Sequence, residues 1–298
     1  MFSFLGGGSS DQENLLKAPV QQGMQLLDRH ETLIVKQTAR GCLQECMGCE
    51  AKSEFKIAPY TWGDVQVGYP WRVSESAMNT PDLMYALEES SFISRCCWRD
   101  GRSFNMKVSS GGEPGGTPIV NYDKPCGMPL YCSIPTQDGS IDVPCCCMLP
   151  TVSTTLPDGS PLGSESKYIC DQFCFVPKLS YSEGGKDIYI VRPQTCCGGC
   201  CIACKCCSGK GAAYISFYFH DANTGKVVTQ DPTDDGFNDN SPQIKKVWGG
   251  FKKECCTTAD TFIIKFPQGC DANRKAGLLG MTFLIDFTVF ERQQQSDV

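Results

Sequence analysis

The sequence predicts a mainly β protein, a barrel or sandwich, with one apolar helix near the C-terminus. Three observations carry this. Apolar residues recur at every second position in several short runs. Gly/Asp turn sequences separate those runs. Residues 276–290, "AGLLGMTFLIDFTVF", form an apolar stretch whose one charge is Asp286.

Taken in chain order, residues 1–28 are rich in glycine, serine and glutamine and lack a repeated apolar period, so they read as a flexible N-terminal tail. "TLIVKQ" from Thr32 opens the first strand. "EFKIAP" alternates Phe55 and Ile57 with Glu54 and Lys56. "SFNMKV" puts Phe104, Met106 and Val108 on one face. "DIYIVRP" is a further β-rich run. "AYISFYFHD" puts Ile215, Phe217 and Phe219 on one side, and "TFIIKFP" does the same with Phe262, Ile264 and Phe266. Turn sequences fall between them: "QDGS" at 137, "PDGS" at 157, "SEGGK" at 182 and "ANTGK" at 222.

The C-terminal stretch raises the question of a membrane span. Fifteen helical residues reach roughly 22 Å, short of a hydrocarbon core of about 30 Å. A carboxylate within the run would cost several kcal/mol in lipid. A helix apolar on all sides must otherwise be buried, and a barrel can enclose it. The residues expected to form this buried core are Leu278, Leu279, Phe283, Leu284, Ile285, Phe287 and Phe290. The expected layout is a tail at 1–28, one barrel domain at 29–293 with its helix at about 275–290, and a short polar tail at 294–298.

The net charge of −6 over 298 residues argues against a nucleic-acid partner. The chain holds 22 cysteines and only two histidines. The start "MFSFLGGGSS" has no basic n-region and no long apolar h-region, and Gly is not residue 2, so neither export nor N-myristoylation is expected. Cysteines kept reduced in a cytosolic setting are metal ligands, lipidation sites or small buried hydrophobes. "PCCCMLP" places Cys145, Cys146 and Cys147 in succession, too many for one core-facing surface, and clustered accessible thiols suit S-palmitoylation. "TCCGGCCIACKCC" offers Cys197, Cys200, Cys204 and Cys207 at Cys-x2-Cys spacing. That set is a zinc alternative, weakened because a zinc ribbon separates its two pairs along the chain. A reduced cysteine-rich hairpin is the plainer reading of the same run.

"DPTDDGFNDN" lacks the spacing of a calcium loop and reads as a solvated acidic loop. Asp260 and Asp271 flank "TFIIKF" and can meet only if a turn returns Asp271. His30 and His220 have no local nucleophile, and there is no phosphate loop, so no catalytic residue is assigned.

The C-terminal third carries "IKKVWGGFKKE", "TADTFIIKFP" and "RKAGLLGMTFLIDFTVFE" in that order. With "LIVKQ", "GCE", "EFKI", "EESSFISRCCWRDGRSFNMKV", the "CCC" at 145 and "CIACKCC", it resembles the phospholipid scramblase family over roughly residues 32–292. The resemblance implies a closed tubby-like β-barrel of about twelve strands around a hydrophobic C-terminal helix. It implies ATP-independent, calcium-stimulated movement of phospholipids between leaflets. It also implies palmitoylation at Cys145–Cys147 and attachment to the cytoplasmic face of the plasma membrane. The partners implied are a phospholipid membrane and proteins bound through barrel loops. A lipid-tethered adaptor without transport activity is the alternative. The family's calcium-linked segment fits Asp260, Phe262, Ile264, Phe266 and Pro267, but Thr258 replaces the first acid and the last slips to Asp271, so calcium is a candidate cofactor with a degenerate site. The N-terminal tail lacks Pro-x-x-Pro repeats, and Lys245–Lys246 is only a fragment of a basic import segment.

Overall fold

A computed structural model describes residues 20–38, 52–61, 65–66, 72–98, 101–127, 130–136, 139–145, 148–169, 176–196, 201–202, 215–229, 236–238, 240–247 and 260–290. Twelve strands close into an antiparallel barrel. They are β1 (Thr32–Gln37), β2 (Glu54–Pro59), β3 (Met84–Glu89), β4 (Phe104–Ser110), β5 (Pro118–Lys124), β6 (Thr151–Thr155), β7 (Pro161–Ile169), β8 (Lys178–Glu183), β9 (Lys186–Pro193), β10 (Ile215–Asp221), β11 (Gln243–Val247) and β12 (Thr261–Lys265). Each pairs with its neighbours in sequence, and β12 closes on β1, with Ile34 opposite Ile263 on one side and Ala58 on the other. Closure removes every sheet edge from the barrel.

Alternation along the strands divides inside from outside. Leu33, Val35, Phe55, Ile57, Met106, Val108, Phe217, Phe219, Phe262 and Ile264 all point into one interior core. On the outer face Ile34, Ala58 and Ile263 form a second cluster, covered by Val73 and Ala77. Ala77 belongs to a one-turn helix, Glu75–Met78, whose first turn is capped by the Ser74 hydroxyl. Glu54 is buried on the outer face. It accepts hydrogen bonds from the Tyr85 and Thr38 hydroxyls.

The interior is filled by the C-terminal helix. The α-helix Ala272–Ile285 runs on as a π-helical turn, Asp286–Phe290. Leu278, Leu279, Phe283, Leu284, Ile285, Phe287 and Phe290 are all 2% exposed or less. Among the described residues no helix is long and apolar enough to cross a membrane. The helix enters at the end of the barrel where β12 stops. Its last turn reaches the other end, where Phe287 meets Phe104 and Phe290 meets Phe217 and Phe262. The first is the entry end of the barrel and the second its exit end.

Two sequence expectations change here. Residues 20–28, assigned to a flexible tail, form a helix whose Val20, Met24 and Leu27 pack on the barrel core. Its apolar positions fall at i, i+4 and i+7, a period hidden by the glutamine-rich composition around it. The C-terminal helix is also not the only one, since a further helix covers Phe92–Trp98.

Candidate functional site

The enclosed helix is the feature on which every functional reading turns, and the barrel wall is shaped to receive it. Asp271 caps its first turn, accepting from Arg274 N–H at 2.8 Å. Gly277 and Gly280 face the wall where it comes closest. A β-carbon at Gly277 would lie 2.6 Å from the Tyr181 ring and hydroxyl and 2.9 Å from Ser164 Oγ. A β-carbon at Gly280 would lie 2.7 Å from the Tyr122 ring. The Tyr122 hydroxyl donates to the Ala276 carbonyl at 2.7 Å, which ties wall to helix. Burial pushes the Tyr122 and Tyr181 phenols far up, so both remain neutral donors.

Ionic contacts fix both ends. At the entry end Arg274 grips Glu183 through two 2.7 Å bonds, and Tyr181 donates to the same carboxylate at 2.9 Å. The hydrogen bonds from Arg274 outweigh burial and hold Glu183 below its ordinary range. Lys275 donates to the Asp28 and His30 carbonyls at 2.6 and 3.0 Å, stitching the helix at residues 20–28 to the C-terminal one. Burial pushes the Tyr189 phenol up to about 12 beside buried Cys270.

At the exit end Glu88 and Arg102 form a buried pair, with Nε–Oε1 at 2.8 Å and Nη2–Oε2 at 3.1 Å. Ser53 N–H and the Ser90 hydroxyl also donate to Glu88, at 2.9 and 2.6 Å. Burial alone would raise the Glu88 pKa, but the bonds from Arg102, Ser90 and Ser53 together hold it below the ordinary value. The Arg102 guanidinium sits 4.9 Å from the centre of the Phe287 ring. Lys124, fully buried, donates to the Arg102 and Gly127 carbonyls at 2.8 and 3.0 Å. Glu88 and Arg102 fall within the stretch EESSFISRCCWRDGRSFNMKV, but the sequence assigned no site role to them or to Lys124. Each is isolated along the chain, and only barrel closure brings them together.

The remaining predicted site residues distribute as follows. Cys145 is the last residue of an appended hairpin, Leu130–Thr136 with Gly139–Cys145, at the exit end. Cys146, Cys147, Cys197, Cys200, Cys204 and Cys207 lie outside the described residues. Asp260 is buried at the exit end beside β12, where it pairs with Lys246 at 2.7 Å and takes its N–H bond to Gln37 Oε1. Asp271 follows the opposite end of the same strand. The structure therefore does not bring the two carboxylates together. Among the described residues no group of three or more His, Cys, Asp or Glu could hold a metal. Of the acidic loop, Phe237 packs across Tyr218 and His220. Burial first, then Arg192, lowers His220 to about 4, and its Nδ1 faces the Gly225 carbonyl at 3.2 Å.

Comparison with known proteins is consistent with this architecture. The family model described as Scramblase matches residues 233–292, from the acidic loop through the enclosed helix. Mouse phospholipid scramblase 1 is 29% identical over 214 residues, 70% of this chain and 52% of that protein. Human phospholipid scramblase 2 is 25% identical over 212 residues, 70% of this chain and 57% of its own. Human phospholipid scramblase family member 5 is 24% identical over 212 residues, 70% of this chain and 62% of its own. The chain spans about half the length of the first of these relatives. No solved structure matches. The chain matches the Scramblase family model at residues 233–292 and is similar to phospholipid scramblases over about 70% of its length.

Proposed function

We propose that this chain is a membrane-associated phospholipid scramblase, moving phospholipids in both directions between leaflets without ATP. The observation that carries the reading is the Scramblase match over 233–292, which spans β11, β12 and the enclosed helix that complete the barrel. Such a task needs no nucleophile; it needs a lower barrier for a polar headgroup crossing hydrocarbon. Attachment falls to acyl chains on Cys145, Cys146 and Cys147, at the cytoplasmic face of the plasma membrane. Two chains anchor firmly where one binds marginally. The burial of the C-terminal helix supports this division of labour. Calcium stimulation is part of the proposal in a weakened form. Asp260 already neutralises Lys246 and Asp271 already caps a helix, so a cation must compete with both.

The second reading, a lipid-tethered adaptor acting through barrel loops, is favoured by one observation. A closed barrel filled by its own helix has no empty bore for a headgroup. Reconstitution separates the two. The purified chain in phosphatidylcholine/phosphatidylserine vesicles, with dithionite reading the exposure of a fluorescent lipid with and without calcium, should move lipid faster than empty vesicles. Vesicles that bind the chain yet keep their inner-leaflet lipid would replace transport with the adaptor reading.

A further inference from the structure

The two ends of the barrel differ in chemistry. The entry end is capped in part by short polar turns. Residues 111–117 and 156–160 are rich in glycine and polar residues, and Gly184–Gly185 closes β8 to β9 in two residues at φ +56° and +79°. The connections after β1, β3, β5, β7, β9 and β11 leave and rejoin the barrel at the exit end. Counted along the chain, these connections hold every cysteine of the 22 except Cys270, which lies at the entry end and is buried. Among the described residues, Cys126 and Cys196 at the exit end are exposed.

The exposed large hydrophobic side chains of the described residues follow the same division. Phe92 is 62% exposed, Ile93 72% and Met148 52%, and all three belong to exit-end connections. They are presented on a firm base. The helix Phe92–Trp98 is capped by Ser91, whose hydroxyl accepts from Ser94 N–H at 3.0 Å. Arg95 donates to the Ser90 carbonyl at 2.6 Å, and Ser90 donates to the buried Glu88 that Arg102 clamps. The segment bearing Met148 is close by. Gly127 N–H donates to the Gly101 carbonyl at 3.1 Å, and a β-carbon on Gly127 would lie 2.9 Å from the Met148 carbonyl. Met148 itself sits at φ +56°, next in sequence to Cys145–Cys147. A left-handed backbone at a non-glycine residue is sterically unfavourable and here accompanies an apolar side chain turned to solvent.

We propose that the exit end is a bilayer-docking face, on which Phe92, Ile93 and Met148 enter the headgroup and upper acyl region and set the barrel end-on to the membrane. The inference rests on the membrane-associated reading above and adds the orientation and the inserted side chains. A bilayer fits this face better than a protein does. The thiols assigned to acyl chains lie in the same connections, and an acyl chain can enter lipid only if that end faces it. Apolar side chains beside such anchors then insert with them. The helix exits at this end too, so the Glu88–Arg102 pair and Asp286 stand directly behind the docking face, screened from lipid by the barrel.

The test is amide exchange on the full chain, thiols reduced and unmodified, with and without phosphatidylcholine/phosphatidylserine vesicles. Expected is slowing of roughly tenfold or more at 92–98 and 148–150, with 111–117 and 184–185 unchanged. Phe92→Ser/Ile93→Ser/Met148→Ser should lower vesicle partitioning by about tenfold or more at an unchanged unfolding midpoint. Slowing confined to the entry end, or a variant that partitions like the parent, overturns the proposal. So does exit-end slowing that follows protein concentration without vesicles, which would mark a protein interface. If the variant misfolds, the exchange map of the parent decides alone. Lipid movement without exit-end slowing would sink this inference and leave transport intact. Exit-end slowing without lipid movement would do the reverse.

Discussion

Gly280→Ala separates an enclosed helix from a lipid-exposed one. On helix propensity alone the substitution stabilises by about 1 kcal/mol. Inside this barrel the new methyl would lie 2.7 Å from Tyr122 Cδ1 and Cε1, with Val152 Cγ1 at 3.5 Å. The ring cannot retreat. Tyr122 is fully buried, its hydroxyl is held by Ala276, and Phe283 lies 5.4 Å away between ring centres. Relief must come from moving the helix, which lengthens the Tyr122–Ala276 bond and leaves a buried hydroxyl poorly paired. Overpacking costs about 1–3 kcal/mol and a compromised buried hydrogen bond about 1–3 kcal/mol more. The net expectation is destabilisation by roughly 1–5 kcal/mol after the propensity gain is subtracted. At about 2–4 °C per kcal/mol for a domain of this size, the thermal midpoint should fall by several degrees. Urea unfolding of the full chain, followed by far-UV circular dichroism, reads this directly. Gly280→Ala paired with Tyr122→Leu should recover part of the loss. A variant as stable as the parent, or more so, would refute the close approach of helix and wall.

Three further outcomes follow from the charged contacts. Glu88 has its folded pKa held below the ordinary value of 4.5, so its contribution is complete above that range and is lost as pH falls through the folded value. Glu88→Gln should cost about 3–5 kcal/mol near neutrality by stranding Arg102, and should flatten the acid limb of stability measured by denaturant melts. His220 should titrate near 4 by NMR instead of at 6.5. The unfolded chain then binds the extra proton first, so stability should decline as pH falls from 6.5 to 4, and His220→Gln should make that slope shallower. Lys275→Met should free the helix at residues 20–28, seen as faster amide exchange there, with a stability loss of about 2–4 kcal/mol for two charge-assisted bonds.

Which parts of this were legible in the sequence follows from where apolar residues alternate. β1, β2, β4, β9, β10 and β12 carry visible period-two runs, and the apolar C-terminal run required a buried site. β7 did not announce itself. Its sequence is PLGSESKYI, and buried Ser164 stands where the helix backbone at Gly277 passes too close for a larger side chain. Close helix–wall packing thus erased the pattern that sequence reading depends on. The Glu88–Arg102–Lys124 cluster was illegible for another reason. Its members come from β3, the β3–β4 connection and β5, and only the register of β3, β4 and β5 sets them side by side. The helix at residues 20–28 was masked by composition, although Val20, Met24 and Leu27 hold the right spacing. The sequence made a meeting of Asp260 and Asp271 depend on a turn that returns Asp271. Asp260 and Asp271 occupy opposite ends of β12, and the turn at 266–271 leads into the helix, not back along the strand.

The most direct test of the account is to ask whether the C-terminal helix touches lipid. Vesicles loaded with a membrane-soluble carbene precursor and mixed with the full chain, then irradiated and mapped by peptide mass spectrometry, give the answer. A barrel that encloses its helix predicts no label on residues 276–290, whether or not the chain is membrane-bound. Carbene adducts on Leu278, Leu279, Phe283 or Phe287 in folded protein would contradict it.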